Sequence, residues 1–263
     1  MPIPRVAPKR SSRNLLVLGS VVAGLAGAPG AGSAACMRSE LIFFDGFESG
    51  GQGVWATQNL IGFARDYWTG DSLAGVTLAT SNPVRAATSD AAGRYVLVDL
   101  APAAAVQPQA TIFAGYRATG NGPIALGGGS KSCDLFAMSA ADVQRQYTLL
   151  GITPTSGLAI LIADLRRPDD SPLTGTPLAD ISLQDAGATP IGQGPYFLGA
   201  SGDVDNSLLV STAFDGRARV AYLNVPITPA TLAVVSAEPD VSASVTFSPI
   251  ASGANDFVLG GAD

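Results

Sequence analysis

The sequence predicts an all-β protein, an antiparallel β-sandwich, on three observations. Apolar residues recur at period two or in runs of about four to eight, as in Arg94-Tyr95-Val96-Leu97-Val98-Asp99-Leu100 and Arg217-Ala218-Arg219-Val220-Ala221-Tyr222-Leu223. Gly, Pro, Asn and Asp bound these runs throughout, with 31 glycines and 18 prolines among 263 residues, which is how strands separated by tight turns read. Helical character is confined to Ser139–Tyr147, where Ser139 can cap a first turn and Asp142 stands at its third position.

The chain opens on an export signal. Arg5, Lys9, Arg10 and Arg13 precede an apolar run from Leu15 to Ala28, which ends in the small residues Gly30 to Ala35. A buried helix would hold Gly19, Gly24 and Gly27 in its interior at about 1 kcal/mol each. A membrane span needs about 20 consecutive apolar residues, more than this run offers. Residues 1–35 are therefore expected to be a signal peptide, cut after Ser33-Ala34-Ala35 or at a neighbouring small residue, and the mature chain to be secreted or periplasmic. Cys36 then falls at the boundary, where an outer-membrane lipoprotein would carry its acyl chains. Ser33, however, stands where such signals usually hold a large aliphatic residue. Lipidation of Cys36, or a disulfide with Cys133, the other of the two cysteines, are the open alternatives.

Removing residues 1–35 leaves 228 of the 263 and takes away four basic and no acidic residues, moving the formal charge from −6 to about −10. Such a chain repels phosphate backbones, and its one basic pair is Arg166-Arg167, so neither nucleic acid nor an anionic membrane surface is an expected partner. There is no histidine, which excludes Ser-His-Asp and Cys-His catalysis and histidine-ligated zinc as usually built.

Residues 36–58 form a leader in which Phe43-Phe44-Asp45-Gly46-Phe47-Glu48 precedes the glycine-rich Ser49–Gly53. The sequence predicts a first β-sandwich domain over 59–148, a linker over 149–157 containing Pro154, a second over 158–235, and over 236–263 one strand, Val241–Phe247, with an exposed glycine-rich tail. One continuous sandwich is the alternative.

Phe63 to Leu100 carries the most information. Thr69-Gly70-Asp71 makes a turn in which Gly70 can take positive φ, and Asp90 can bond backbone amides two residues on, before Gly93. Alternation along the next strand sets Tyr95, Leu97 and Asp99 on one face and Val96, Val98 and Leu100 on the other, which is expected to be the buried side. Thr69-Gly70, then Leu73-Ala74-Gly75-Val76, then Thr88-Ser89-Asp90 and Gly93-Arg94-Tyr95 with an aliphatic strand, resembles the carboxypeptidase regulatory-like domain family over about 40 residues. That resemblance implies a transthyretin-like or Ig-like sandwich, usually non-catalytic, of the kind that accompanies metallocarboxypeptidases, outer-membrane receptors and surface proteins. Asp45-Gly46-Phe47-Glu48 resembles a short tag near the processed ends of some Gram-negative secreted proteins.

The same order recurs later. Gly175 to Leu183 aligns with Gly70 to Leu78 at an offset of 105, and Asp215-Gly216-Arg217 echoes Asp90 to Arg94 at an offset of 123. A divergent tandem repeat follows, with Ile191–Asp203 as the insertion.

Candidate sites are few. Asp203, Asp205 and Asn206, in Gly202-Asp203-Val204-Asp205-Asn206-Ser207, place oxygen ligands at alternate positions for calcium, without the later bidentate glutamate of a full calcium loop. Plain turn chemistry explains such a cluster equally. Trp55, Tyr67 and Trp68 can stack on a sugar ring or pack in the core. Gly127-Gly128-Gly129-Ser130-Lys131-Ser132 lacks phosphate-loop spacing. No cofactor other than calcium, and no catalytic residue, is indicated. The expected function is a non-catalytic binding or structural protein of the envelope or extracellular space, meeting a protein or glycan partner. A carboxylate-based extracellular hydrolase is the alternative.

Overall fold

The computed structural model describes Met37–Arg38 and residues 58–100, 105–126, 130–238 and 241–260. The expected signal peptide, Cys36, residues 39–57 of the leader with Trp55 among them, and Gly127–Gly129 lie outside the described residues.

The early strands are β1 (Met37–Arg38), β2 (Gln58–Asp66), β3 (Thr77–Ser81), β4 (Val84–Thr88), β5 (Arg94–Leu100) and β6 (Ala105–Val106). They continue with β7 (Gln109–Ala110), β8 (Thr119–Asn121), β9 (Ile124–Ala125), β10 (Lys131–Ser132) and β11 (Leu135–Ala137), followed by helix α1 (Ala140–Leu149). The later strands begin with β12 (Ala159–Leu165), β13 (Ile181–Asp185), β14 (Gln193–Leu198), β15 (Val204–Asp205) and β16 (Ala213–Phe214). The last are β17 (Arg217–Val225), β18 (Ala230–Val234), β19 (Ala243–Phe247) and β20 (Ala254–Leu259). The fold is all-β, packed as sandwiched sheets, and α1 is the one α-helix among the described residues. Ser139 caps α1 as expected, its Oγ accepting the Asp142 amide at 3.0 Å.

Each half is built around a first strand that pairs antiparallel on one side and parallel on the other. In the first half β2 lies antiparallel to β5 and parallel to β10 and β11. In the second half β12 lies antiparallel to β17 and parallel to β20. Gly62 is required by this arrangement, because a Cβ there would stand 1.7 Å from the Cys133 carbonyl oxygen.

A local hydrogen-bond pattern also repeats. Ser89 Oγ donates to Leu73 O (2.7 Å) and accepts from Val76 N (2.9 Å). Ser211 Oγ donates to Leu173 O (2.8 Å) and accepts from Thr176 N (2.9 Å). Gly75 and Gly175, at φ 74° and 81°, turn the chain inside each motif. Leu173, Gly175 and Thr176 thus occupy the places of Leu73, Gly75 and Val76, an offset of 100 rather than the 105 read from sequence. Gly70, whose φ is also positive, stands five residues before Gly75 and so mimics its place in the sequence.

The two halves share one sheet. Its ten strands include the path β15-β14-β17-β12-β20-β8-β7-β3-β4, so β20 lies between β12 of its own half and β8 of the first. The segment expected as an exposed tail therefore supplies a central strand. Asn255 and Asp256 hide it in the sequence, since two polar residues side by side do not read as a buried strand. The segment expected as a linker is pinned as well: Asn224 accepts from Thr155 N (2.9 Å) and donates to Thr153 O (3.1 Å).

Three apolar clusters result. One fills the first half around Leu60, Leu78, Leu97 and Leu135. Another fills the second half around Leu161, Val220, Leu232 and Phe257. The third lies between them, where Tyr67, Phe136, Met138, Val143 and Tyr147 pack on Ile160, Ile162, Ala221, Leu223 and Ala254. Alternation divides β12, with Ala159, Leu161 and Ala163 facing its own core while Ile160, Ile162 and Asp164 face the other half. All seven of its residues are buried, as in a strand covered on both sides.

β5 departs from its expected parity. Tyr95, Leu97 and Leu100 are buried, whereas Val96 and Val98 are 46% and 48% exposed. Asp99, at φ 57°, and a register shift opposite Gln58–Leu60 insert one residue, so Leu100 returns to the face of Leu97.

Candidate functional site

The residues of chemical interest gather where the halves meet and at a recess on the rim of that junction. Cross-strand register sets Asp164 of β12 opposite Arg219 of β17, and Asp256 of β20 beside Ile162. Arg217 Nε donates to both oxygens of Asp164, at 3.0 and 2.9 Å. Arg166 Nη2 approaches the same carboxylate at 3.6 Å. The Tyr67 ring caps the group, its centroid 4.7 Å from the Arg217 guanidinium carbon and 6.0 Å from that of Arg219.

Asp164, Arg217, Arg219, Asp256 and Tyr67 are all buried. Loss of hydration pushes the Asp256 carboxyl up to about 8, Arg217 opposing and Asp164 adding to the shift. Burial likewise raises Tyr67, which stays protonated. Sequence reading missed this cluster because Arg217 and Arg219 alternate with Ala218 and Val220 like a solvent-facing row. The usable signal was Asp164, a lone charge inside Ile160-Leu161-Ile162-Ala163-Asp164-Leu165.

The rim is built by two elements of the first half. Asp66 Oδ1 accepts the amides of Trp68 (2.8 Å) and Thr69 (2.9 Å), and its Oδ2 accepts the Tyr116 hydroxyl (2.8 Å). This turn directs Trp68 Nε1 to the Gly202 carbonyl at 3.3 Å. From α1, Arg145 donates Nε and Nη2 to Asp203 Oδ1 at 3.0 and 2.9 Å, and Gln146 donates to the same oxygen at 2.7 Å. Gln146 Oε1 also accepts the Val204 amide at 2.9 Å. Beside this stitching lies a recess of about 450 Å³, whose lining includes Leu149, Ala200, Ser201, Asp203, Asp205 and Asn206.

Asp203, Asp205 and Asn206 thus do meet at one recess. The Asp203 carboxylate is engaged by Arg145 and Gln146. Asp205 accepts the Ser207 hydroxyl (2.6 Å) and amide (2.9 Å), which hold its carboxyl below the ordinary range and close its own turn. Among the described residues no group of three or more acidic, histidine or cysteine side chains converges. Tyr67 is completely buried, so it belongs to the junction and presents no ring face to a sugar. Trp68 is half-buried, with the Arg145 guanidinium carbon 5.8 Å from its ring centroid. Phe214, 38% exposed, also borders Gly202: its ring carbons would lie 3.8 and 3.9 Å from a Cβ placed there.

Cys133 is buried and disulfide-bonded. The antiparallel register of β1 on β10 pairs Met37 with Ser132, the residue before Cys133.

No helix among the described residues is long and apolar enough to cross a membrane. No family model and no curated protein sequence matches the chain. Among solved structures it is similar to the Bacillus anthracis TIE protein, at 10% identity and a TM-score of 0.26, over 77% of this chain and 33% of that one. The chain thus spans about a third of that protein's length. It is also similar to the shaft pilin SpaA of Lactobacillus rhamnosus GG, at 14% identity and a TM-score of 0.23, over 78% and 97% of the two chains. A candidate carbohydrate-binding protein of Bacteroides uniformis aligns at 9% identity and a TM-score of 0.27, over 74% and 98%.

Proposed function

We propose that this is a non-catalytic exported protein whose two halves are divergent copies of a transthyretin-like sandwich, joined into one rigid body that presents a binding recess at its junction. The carrying observation is the junction itself. A shared sheet, an apolar cluster and the buried Asp164–Arg217 pair hold the halves in one orientation, which suits a structural or adhesive part of the envelope. The Trp68 and Phe214 rings around Gly202, with polar Ser201, Asp205 and Asn206 beside them, offer the mixture of stacking surface and hydrogen-bonding groups that a glycan or an extended peptide requires.

The test is binding of the mature protein to isolated envelope polysaccharides and envelope proteins, with a parallel assay for product release. Binding weakened at least tenfold by Trp68→Ala, with no product, supports the reading. Product release by the wild-type chain sinks it.

A further inference from the structure

We propose that the enclosed polar group at the junction is a binding site for a small monovalent anion of the halide class, held by Arg219, Tyr67 and Asp256.

The charges of the enclosure do not balance. Arg166, Arg217 and Arg219 bring three guanidinium groups to it, against the two carboxylates of Asp164 and Asp256. Asp164 accepts from Arg217, with Arg166 at 3.6 Å. Asp203, beside Gly202 on the rim, accepts from Arg145 and Gln146 instead. Arg219 is only 5% exposed, and among the described residues no carboxylate forms an ion pair with it. One positive charge is left over with both carboxylates ionised, and two once Asp256 holds its proton. A charge withdrawn from water without a counter-charge is costly, so an anion in this place stabilises the fold.

The hydrogen-bonding groups point to the same ligand. Arg219 Nε, the Tyr67 hydroxyl and Asp256 Oδ1 are all shut away from water, and none has a partner among the described residues. They are neighbours: the Tyr67 ring centroid lies 6.0 Å from the Arg219 guanidinium carbon, and Asp256 titrates in the field of Arg217 and Arg219. Burial keeps the proton on Tyr67, and the Asp256 carboxyl, pushed up to about 8 chiefly by loss of hydration, carries one at neutral pH. Arg219 Nε–H makes a third donor. Three donors without an acceptor suit a ligand that only accepts. An anion also supplies the missing charge, which a water molecule does not.

Access selects for size. Arg219 Nη2 stands against the rim at Gly202, 3.1 Å from where a Cβ would be, and a Phe214 ring carbon lies 3.8 Å from the same point. Trp68 Nε1 donates to the Gly202 carbonyl from the opposite half. Arg219 thus nears the surface at a residue without a side chain, hemmed by two rings, which suits an ion of one atom better than sulfate or a carboxylate.

The experiment melts the protein while chloride replaces gluconate at constant ionic strength. The melting temperature should rise with chloride, because a ligand bound by the folded chain alone stabilises it by mass action. Arg219→Met keeps the apolar stem and should lose this dependence. Tyr67→Phe, which keeps the ring and removes only the hydroxyl, should weaken it and serves if Arg219→Met does not fold. Crystals grown in bromide should show an anomalous peak within hydrogen-bonding reach of Arg219 Nε and the Tyr67 hydroxyl. Equal melting in the two salts, a dependence unchanged in Tyr67→Phe, or bromide crystals with no peak in the enclosure would each overturn the proposal.

Discussion

Arg217 and Asp164 face each other across two neighbouring strands with both side chains withdrawn from water, the guanidinium Nε shared between the two carboxylate oxygens at 3.0 and 2.9 Å. Removing one partner leaves a buried charge without its counterpart, at a cost of about 3–5 kcal/mol. Asp164→Asn and Arg217→Met should each lower the unfolding free energy, read from urea denaturation, by that much. Replacing both with apolar residues should cost less than the two single losses added together. A double variant whose loss equals their sum would show that the pair does not act as a unit.

Asp256 faces Asp164, Arg166, Arg217, Arg219 and Tyr67 in the same enclosure. Its carboxyl is pushed up to about 8, against an ordinary aspartate value near 4. Between those values the folded chain retains a proton that the unfolded chain has released. This contribution is complete below about pH 4 and declines as pH rises toward 8. Asp256→Asn cannot titrate and should flatten that slope by on the order of a few kcal/mol, at about 1.36 kcal/mol per pKa unit. Parallel stability profiles of the two proteins from pH 5 to 9 would remove the assignment.

The serine motifs allow a symmetric test. Ser89 and Ser211 are both buried, and each both donates to a leucine carbonyl and accepts a backbone amide. Ser89→Ala and Ser211→Ala each leave two buried backbone groups without that partner, so losses of about 1–3 kcal/mol are expected for both. Denaturation curves decide it, and a loss at one site only would mean that the two patterns are not equivalent.

At the recess, Arg145 is 43% exposed at its side chain, so its bond to Asp203 contributes about 1 kcal/mol or less. Gln146 is completely buried and bridges Asp203 to the Val204 amide. Gln146→Ala should therefore destabilise by about 1–3 kcal/mol and Arg145→Ala by much less. Millimolar calcium should leave the melting temperature of the wild-type protein unchanged, since Asp203 already has its partners. A calcium-dependent rise abolished by Asp203→Asn would return this loop to the metal-binding class.

Much of the architecture is legible from local rules. The strands at Arg94–Leu100 and Arg217–Val225, the Ser139 cap and the positive φ of Gly70 and Gly93 all depend on residues within a few positions of one another. What escapes a linear reading is whatever a distant strand decides. Leu100 returns to the buried face of Leu97 because β5 carries one extra residue at Asp99 opposite Gln58–Leu60 of β2. Arg217 and Arg219 look solvent-facing until the first half is laid over them. Asp203 looks like a cation ligand until α1, 58 residues earlier, delivers Arg145 to it. The recess is legible as a turn cluster but not as a site, because Trp68 reaches Gly202 across 134 residues.

β20 has one more consequence. It is hydrogen-bonded to β12 on one edge and to β8 on the other, yet it is drawn from residues 254–259. As the chain lengthens from its N-terminus, every earlier strand can be made and the sheet still has a gap at its centre. Completion awaits β20, and pairings this distant in sequence close slowly.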